Sequence, residues 1–325
     1  MKRVFSLTLA AIAALLLSFN AKAQDINEAI DLFNTAKQNF ETKQYDQALT
    51  DANKVYDMLQ TIGDAEGEEF NLVKANTEQL LLAIPYTQGK ELLTAKSYDE
   101  ATVKLKEAKA AAERFNNAGV TEELTKLIPQ ISIAKATELL AAEDFQGAIS
   151  AYQVAATENP NEPDVFVRLA YAYNKLGDEA NATTYYEKAI QVATAENDEK
   201  NLEMAKGQLA TIYLKQANAS QQAKKWADVS MYALKSLEYK ESPQAYLMAG
   251  SANFNLKKYD AAITNLEKAA SLETNDQRLQ NIAYQLAVSY DTKNNKAKAC
   301  ENYKKIVNNQ KFKAYAESRI KALGC

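Results

Sequence analysis

Adjacent carboxylates are the most plentiful groups in this sequence that could do acid–base chemistry, with Glu68/Glu69 and Asp198/Glu199 as examples. Two-carboxylate glycoside hydrolysis needs the groups roughly 5 to 9 Å apart across the substrate, a separation set by folding and not by adjacency. On helix surfaces acidic residues ordinarily form a solvated face, and these pairs read that way. The chain has no histidine, which removes His triads, His general bases and His-ligated metals. Its two cysteines are too few for a four-thiolate zinc site. "QGKE" at 88–91 lacks the upstream glycine and the Ser/Thr of a phosphate loop, so Gly89 reads as a helix-packing glycine beside a solvated Lys90. "ENPNEPD" at 158–164 lacks the glycine and spacing of a calcium loop and reads as a linker, with Pro160 and Pro163 stopping one helix and starting the next. No catalytic residue, metal ligand or cofactor is assigned.

The elements that must position any site are helical. The 325 residues are 47% hydrophobic and 25% charged, with only 9 Gly and 5 Pro, enough apolar material for a large core and too few breakers for a loop-rich chain. Lys2 and Arg3 precede the apolar run "VFSLTLAAIAALLLSF" and then "NAKA", the layout of a secretory signal peptide over 1–23 cut between Ala23 and Gln24. The run has 16 residues, short for a membrane span; an uncleaved signal-anchor is the alternative. No cysteine follows the cut to carry a lipid, and the expected location is periplasmic or secreted. Loss of Lys2, Arg3 and Lys22 leaves 35 basic against 42 acidic residues, a net charge of about −7. That disfavours nucleic acid and anionic lipid, both of which need basic surface.

Internal repetition is the strongest signal. "KQYDQA" at 43–48 returns as "KSYDEA" at 96–101 and "KKYDAA" at 257–262, and Phe145/Ala148 keeps the same aromatic-to-alanine spacing. Degenerate copies end at Ala182, Val229 and Ala299. The seven end positions are 53, 47, 34, 47, 33 and 37 residues apart. Tyr186/Ala189 and Leu266/Ala269 follow Ala182 and Ala262 by four and seven, on one helical face. Each copy therefore reads as the start of a second helix packed on a first, with its lysine and acids on the turn surface. An interval of 47 is expected to add about two turns to each helix of a pair. "GDAEG" at 63–67 reads as a turn between two long helices, and Pro85 and Pro129 as helix starts or kinks.

In "FVRLAYAYNKLGDEANATTYYEKAI", Phe166, Leu169, Ala170, Tyr173, Gly177, Ala182, Tyr186 and Ala189 are spaced as in the tetratricopeptide repeat family, which the chain resembles over nearly all of its length after residue 23. The copy at 243–276 matches through Tyr246, Gly250, Tyr259, Ala262, Leu266 and Ala269, with Asn253 where an aromatic is usual. The resemblance implies an all-α, right-handed solenoid of about seven helix-turn-helix units with a C-terminal capping helix. It divides the chain into divergent long-helix units over 24–128, repeats over 129–313, and a cap helix and tail over 314–325. It also implies a concave groove lined by first helices, carried here by Val167, Tyr171, Asn174, Lys175, Leu247, Ser251, Phe254, Asn255, Tyr284, Val288 and Asp291. Val167 and Tyr171 depart from the subfamily that clamps a terminal carboxylate with Lys and Asn.

Cys300 and Cys325 form an even pair in an exported chain, which favours a disulfide over two free thiols or an intermolecular bond. On the loop-entropy relation, closing a loop of about 26 residues contributes about 3.5 kcal/mol. The expectation is a non-enzymatic envelope scaffold that binds a protein or extended peptide in its groove. The alternative is a carrier for a small ligand or glycan using the groove aromatics, and an enzyme ranks third.

Overall fold

The computed structural model describes residues 21–62 and 67–325. The apolar run of the expected signal peptide lies outside the described residues, as do residues 63–66 of the expected turn; Ala23 and Gln24 fall within the first helix. Every regular element among the described residues is an α-helix, and the chain divides into two compact units at Glu158/Asn159.

The first unit contains α1 (Ala21–Glu41), α2 (Tyr45–Ile62), α3 (Glu68–Thr94), α4 (Tyr98–Arg114), α5 (Ala118–Ala141) and α6 (Phe145–Glu158). The second contains α7 (Pro163–Lys175), α8 (Glu179–Ala195), α9 (Glu199–Gln222), α10 (Trp226–Tyr239), α11 (Pro243–Asn255), α12 (Tyr259–Leu272), α13 (Asp276–Thr292), α14 (Lys296–Lys304) and α15 (Lys313–Leu323). Within each unit every helix packs on the next in sequence, which gives stacked hairpins. Residue 128, the expected boundary between divergent and regular units, lies inside α5.

All seven repeated positions start the second helix of a hairpin. Ala48, Ala101, Ala148, Ala182, Ala262 and Ala299 are fully buried and Val229 is 1% exposed, each three residues into its helix. A small side chain there lets the two backbones approach. The first helix ends the same way each time. One residue turns left-handed: Lys43, Lys96, Glu143, Lys224, Lys257 and Asn294 at φ 57–61°, and Gly177 at 81°. Its N–H bonds the carbonyl three residues back and the next N–H bonds the carbonyl five back, as Lys43 N to Phe40 O (3.0 Å) and Gln44 N to Asn39 O (2.8 Å). This paired closure satisfies the last carbonyls of the helix and reverses the chain.

Two glycines mark close helix contacts. A Cβ on Gly89 would stand 2.6 Å from Leu105 Cγ, and one on Gly250 2.6 Å from Leu266 Cγ, so the first helices α3 and α11 touch α4 and α12 where a side chain has no room. Asn253, in place of the usual aromatic, is buried with its Nδ2 donating to Ser230 Oγ on α10 (3.0 Å) and to Ala249 O (2.9 Å).

Three expectations are revised. The extra residues of the long repeats enter the first helix almost alone: α5 and α9 have 24 residues against 13 in α7 and α11, while α4 and α8 have 17 against 14 in α10 and α12. Pro85 and Pro129 lie inside α3 and α5, which excludes the helix start of the two readings and leaves the kink. The turn lysines do more than face solvent, because Lys43 Nζ reaches Glu91 (2.7 Å) and Lys96 Nζ reaches Glu138 (2.8 Å) on the next hairpin. Tyr98 donates to Glu138 (2.6 Å), and Tyr45 bonds Glu91. The two glutamates sit seven residues before Tyr98 and Phe145, so a lysine and a tyrosine of one hairpin converge on a carboxylate of the following one.

The chain ends on α15, whose Phe312, Ala316 and partly buried Ile320 and Leu323 complete the last core cluster with Tyr303 and Ile306. Cys300 and Cys325 are joined, with Cα atoms 6.1 Å apart. The bond ties the tail to α14.

Candidate functional site

The acidic pairs serve helix ends. Asp198 caps α9 by accepting from Asn201 N (3.0 Å) and Asn201 Nδ2 (2.6 Å), bonds that hold its carboxyl below the usual range. Glu199, Glu68 and Glu69 occupy first turns, where an anion meets the positive end of the helix dipole. Among the described residues no group of three or more acidic or cysteine side chains is placed to hold a metal.

The residues named for the groove all lie on first helices of the second unit, and their surroundings differ. On α7, Val167 is buried, Asn174 is half-buried, and Tyr171 and Lys175 are exposed with Lys175 Nζ 5.2 Å above the Tyr171 ring. On α11, Leu247 and Ser251 are half-buried, while Asn255 is exposed and donates to Ser251 O (2.8 Å). Phe254 meets Tyr259 edge-on at 6.2 Å and Tyr284 at 6.5 Å. Tyr284 stacks on Phe312 at 4.5 Å and meets Tyr315 edge-on at 5.8 Å. Asp291 accepts from Arg319 Nε (2.8 Å), Arg319 Nη2 and Tyr303 Oη (3.1 Å), with Val288 half-buried on the same helix. Phe254, Tyr284 and Asp291 thus join the packing that carries the cap helix. Tyr171, Lys175 and Asn255 are the members most open to solvent.

The same face also holds a cleft of about 330 Å³ between α9, α11 and α13. Leu247 and Ser251 line it; the other named residues do not. Its polar walls are Asn218 and Gln221 from α9, Gln244 from the start of α11, and Arg278, Asn281 and Gln285 from α13. Trp226, the first residue of α10, lines it together with the apolar Val229, Met248 and Ala252. Arg278 is paired with Glu273 (3.3 Å), whose carboxyl lies below its ordinary range because it accepts backbone N–H bonds from Asn275 and Thr274 as well as the guanidinium. Gln285 Oε1 is buried and accepts no hydrogen bond. Sequence reasoning passed over these residues, although Arg278, Asn281 and Gln285 recur at three and seven on one face of α13.

A chain of stacked helix hairpins, closed by one kind of turn and carrying its open polar face on first helices, is a helical repeat protein. Residues 163–195 and 243–276 match the model of the tetratricopeptide repeat, so these two stretches are similar to repeats of that family. These spans cover α7–α8 and α11–α12. Among solved structures, MamA is similar at 19% identity over 57% of this chain and 94% of that one, with a TM-score of 0.33. The P58(IPK) repeat domain is similar at 13% identity over 92% and 99%, at 0.31. Part of a repeat-containing protein from Cytophaga hutchinsonii is similar at 17% identity over 88% and 98%, at 0.33.

Proposed function

We propose that the protein is a non-enzymatic scaffold of the bacterial cell envelope that holds a protein partner against the first helices of its second unit. The carrying observation is the exposed Tyr171–Lys175 pair on α7, inside a matched repeat, with Asn255 open on α11. A solvent-facing aromatic beside a cation is a contact that pays little to desolvate and gains from burying a flat ring. An extended peptide or a partner helix fits such a face. The envelope location is supported by the sequence of residues 1–23 and by the Cys300–Cys325 bond, since disulfides persist in oxidising compartments.

Site-resolved photocrosslinking in cells tests this reading. A photoreactive residue at Tyr171 or Asn255 is expected to give one discrete protein adduct. The same probe at Met231 or Leu272, exposed on the second helices α10 and α12, is expected not to give it. An identical adduct pattern from both faces, or none from either, refutes the groove-facing assignment.

A further inference from the structure

We infer that the cleft lined by Trp226 is a binding site for a neutral saccharide of one or two rings, separate in chemistry from any protein contact at Tyr171. Four observations converge on this ligand class.

The first is the donor set. Asn218, Gln221, Gln244, Asn281 and Gln285 are carboxamides, each presenting an N–H donor and a carbonyl acceptor from one planar group. A sugar hydroxyl also both donates and accepts, so vicinal hydroxyls match one carboxamide with both of its functions. The second is charge. Among the described residues no acidic side chain lines the cleft, and its one cationic side chain, Arg278, is already paired with Glu273. A neutral ligand leaves no buried ion uncompensated, whereas an anion would have to compete with Glu273.

The third is the orphaned acceptor. Gln285 lines the cleft with its Oε1 buried and without a donor, an unfavourable state that a turn of the carboxamide toward a ligand N–H or O–H relieves. An ordinary anion brings no such proton. The fourth is shape. About 330 Å³ sits at the small end of ligand pockets, which run to about 1,000 Å³. The groove residues of α7, and Tyr284 and Asp291 of α13, stay outside it. An extended peptide needs a trench continuous across successive first helices. A compact ligand with an apolar face for Trp226, Leu247 and Met248 needs only this cleft.

Trp226 is the single tryptophan of the chain, so its fluorescence reports the site directly. The full-length protein is titrated with maltose, cellobiose, lactose and N,N′-diacetylchitobiose, and separately with a blocked neutral tripeptide of alanine and serine. A saturable change is expected with at least one disaccharide below about 10 mM, an affinity reachable by a few net hydrogen bonds and one stacked ring. Gln221 and Gln244 are exposed, so Gln221→Ala/Gln244→Ala is expected to keep the unfolding midpoint while weakening that binding about tenfold. Three outcomes overturn the inference: no saturable response to any disaccharide, a response unchanged in the double variant, or saturation by the tripeptide alone.

Discussion

The left-handed residue that ends each first helix allows a test whose sign is fixed by geometry. Lys224 and Lys257 hold φ of 57° and 60°, and neither makes an ion pair among the described residues. A left-handed backbone costs a residue with a Cβ about 1–2 kcal/mol, a penalty glycine escapes. Glycine returns about 0.5–1 kcal/mol through the extra freedom of its unfolded chain. The difference leaves Lys224→Gly and Lys257→Gly more stable than Lys224→Ala and Lys257→Ala by about 0.5–1 kcal/mol each. In a helix interior the order is reversed, with alanine favoured by about 1 kcal/mol. Urea unfolding read by Trp226, two residues from Lys224, and by far-ultraviolet circular dichroism measures both pairs. Lys43 and Lys96 supply an internal contrast, because glycine there also removes the bond to Glu91 or Glu138, and the gain over wild type must be smaller. If alanine equals or exceeds glycine at both Lys224 and Lys257, the left-handed closure is not what sets these hairpins.

Replacing both cysteines, Cys300→Ser/Cys325→Ser, should lower the stability of the second unit by up to about 3.5 kcal/mol for a separation of 25 residues, seen as a lower Tm; thiol labelling of the denatured, unreduced protein should find none free. Gly89→Ala and Gly250→Ala force a methyl to within 2.6 Å of a leucine Cγ, and each should cost about 1–3 kcal/mol in urea unfolding. The interhairpin carboxylates predict a pH dependence with a defined sign. Bonds from Lys43 and Tyr45 hold Glu91 low, and bonds from Lys96 and Tyr98 hold Glu138 low, so their contribution is present above the ordinary value of 4.5 and is lost as pH falls through the depressed one. The phenols shift upward, Tyr45 to about 12 through burial and then its bond to Glu91, so their contribution is complete below 10.0 and fades above it. With no histidine in the chain, Tm should be flat between these limbs, and Glu91→Gln/Glu138→Gln should shorten the acid limb. An acid limb identical in that variant counts against the clamp.

How much of this was legible follows from what repeats. Tyr45, Tyr98 and Tyr259 signal helix starts because every hairpin must solve the same packing problem, and Ala48, Ala101 and Ala262 recur because two backbones must close. The left-handed positions escaped notice since only Gly177, and Asn294 more weakly, carries a residue suited to that conformation; four are lysine and one is glutamate. Helix lengths misled where a total of 47 was shared between two helices, because a sum of residues does not reveal which helix takes them. The bonds from Lys43 to Glu91 and from Lys96 to Glu138 span 48 and 42 residues, beyond any local pattern. The disulfide was legible from an even cysteine count and the expected compartment.

Residues that bind obey a different logic from residues that repeat. A joint must present the same small or flat side chain in each hairpin, so periodicity exposes it. Asn218, Gln244, Asn281 and Gln285 occupy positions that packing leaves free, so they need not recur and no period marks them. With Val229 beside it, Trp226 belongs to both sets. It starts α10 where four other hairpins place tyrosine or phenylalanine, packs on the cluster of Ala217, Val229, Ala233 and Met248, and also lines the cleft. A larger aromatic at a joint can serve the stack with one part and a ligand with another. That double use explains how a binding site arises in a repeat protein without disturbing the turn that builds it.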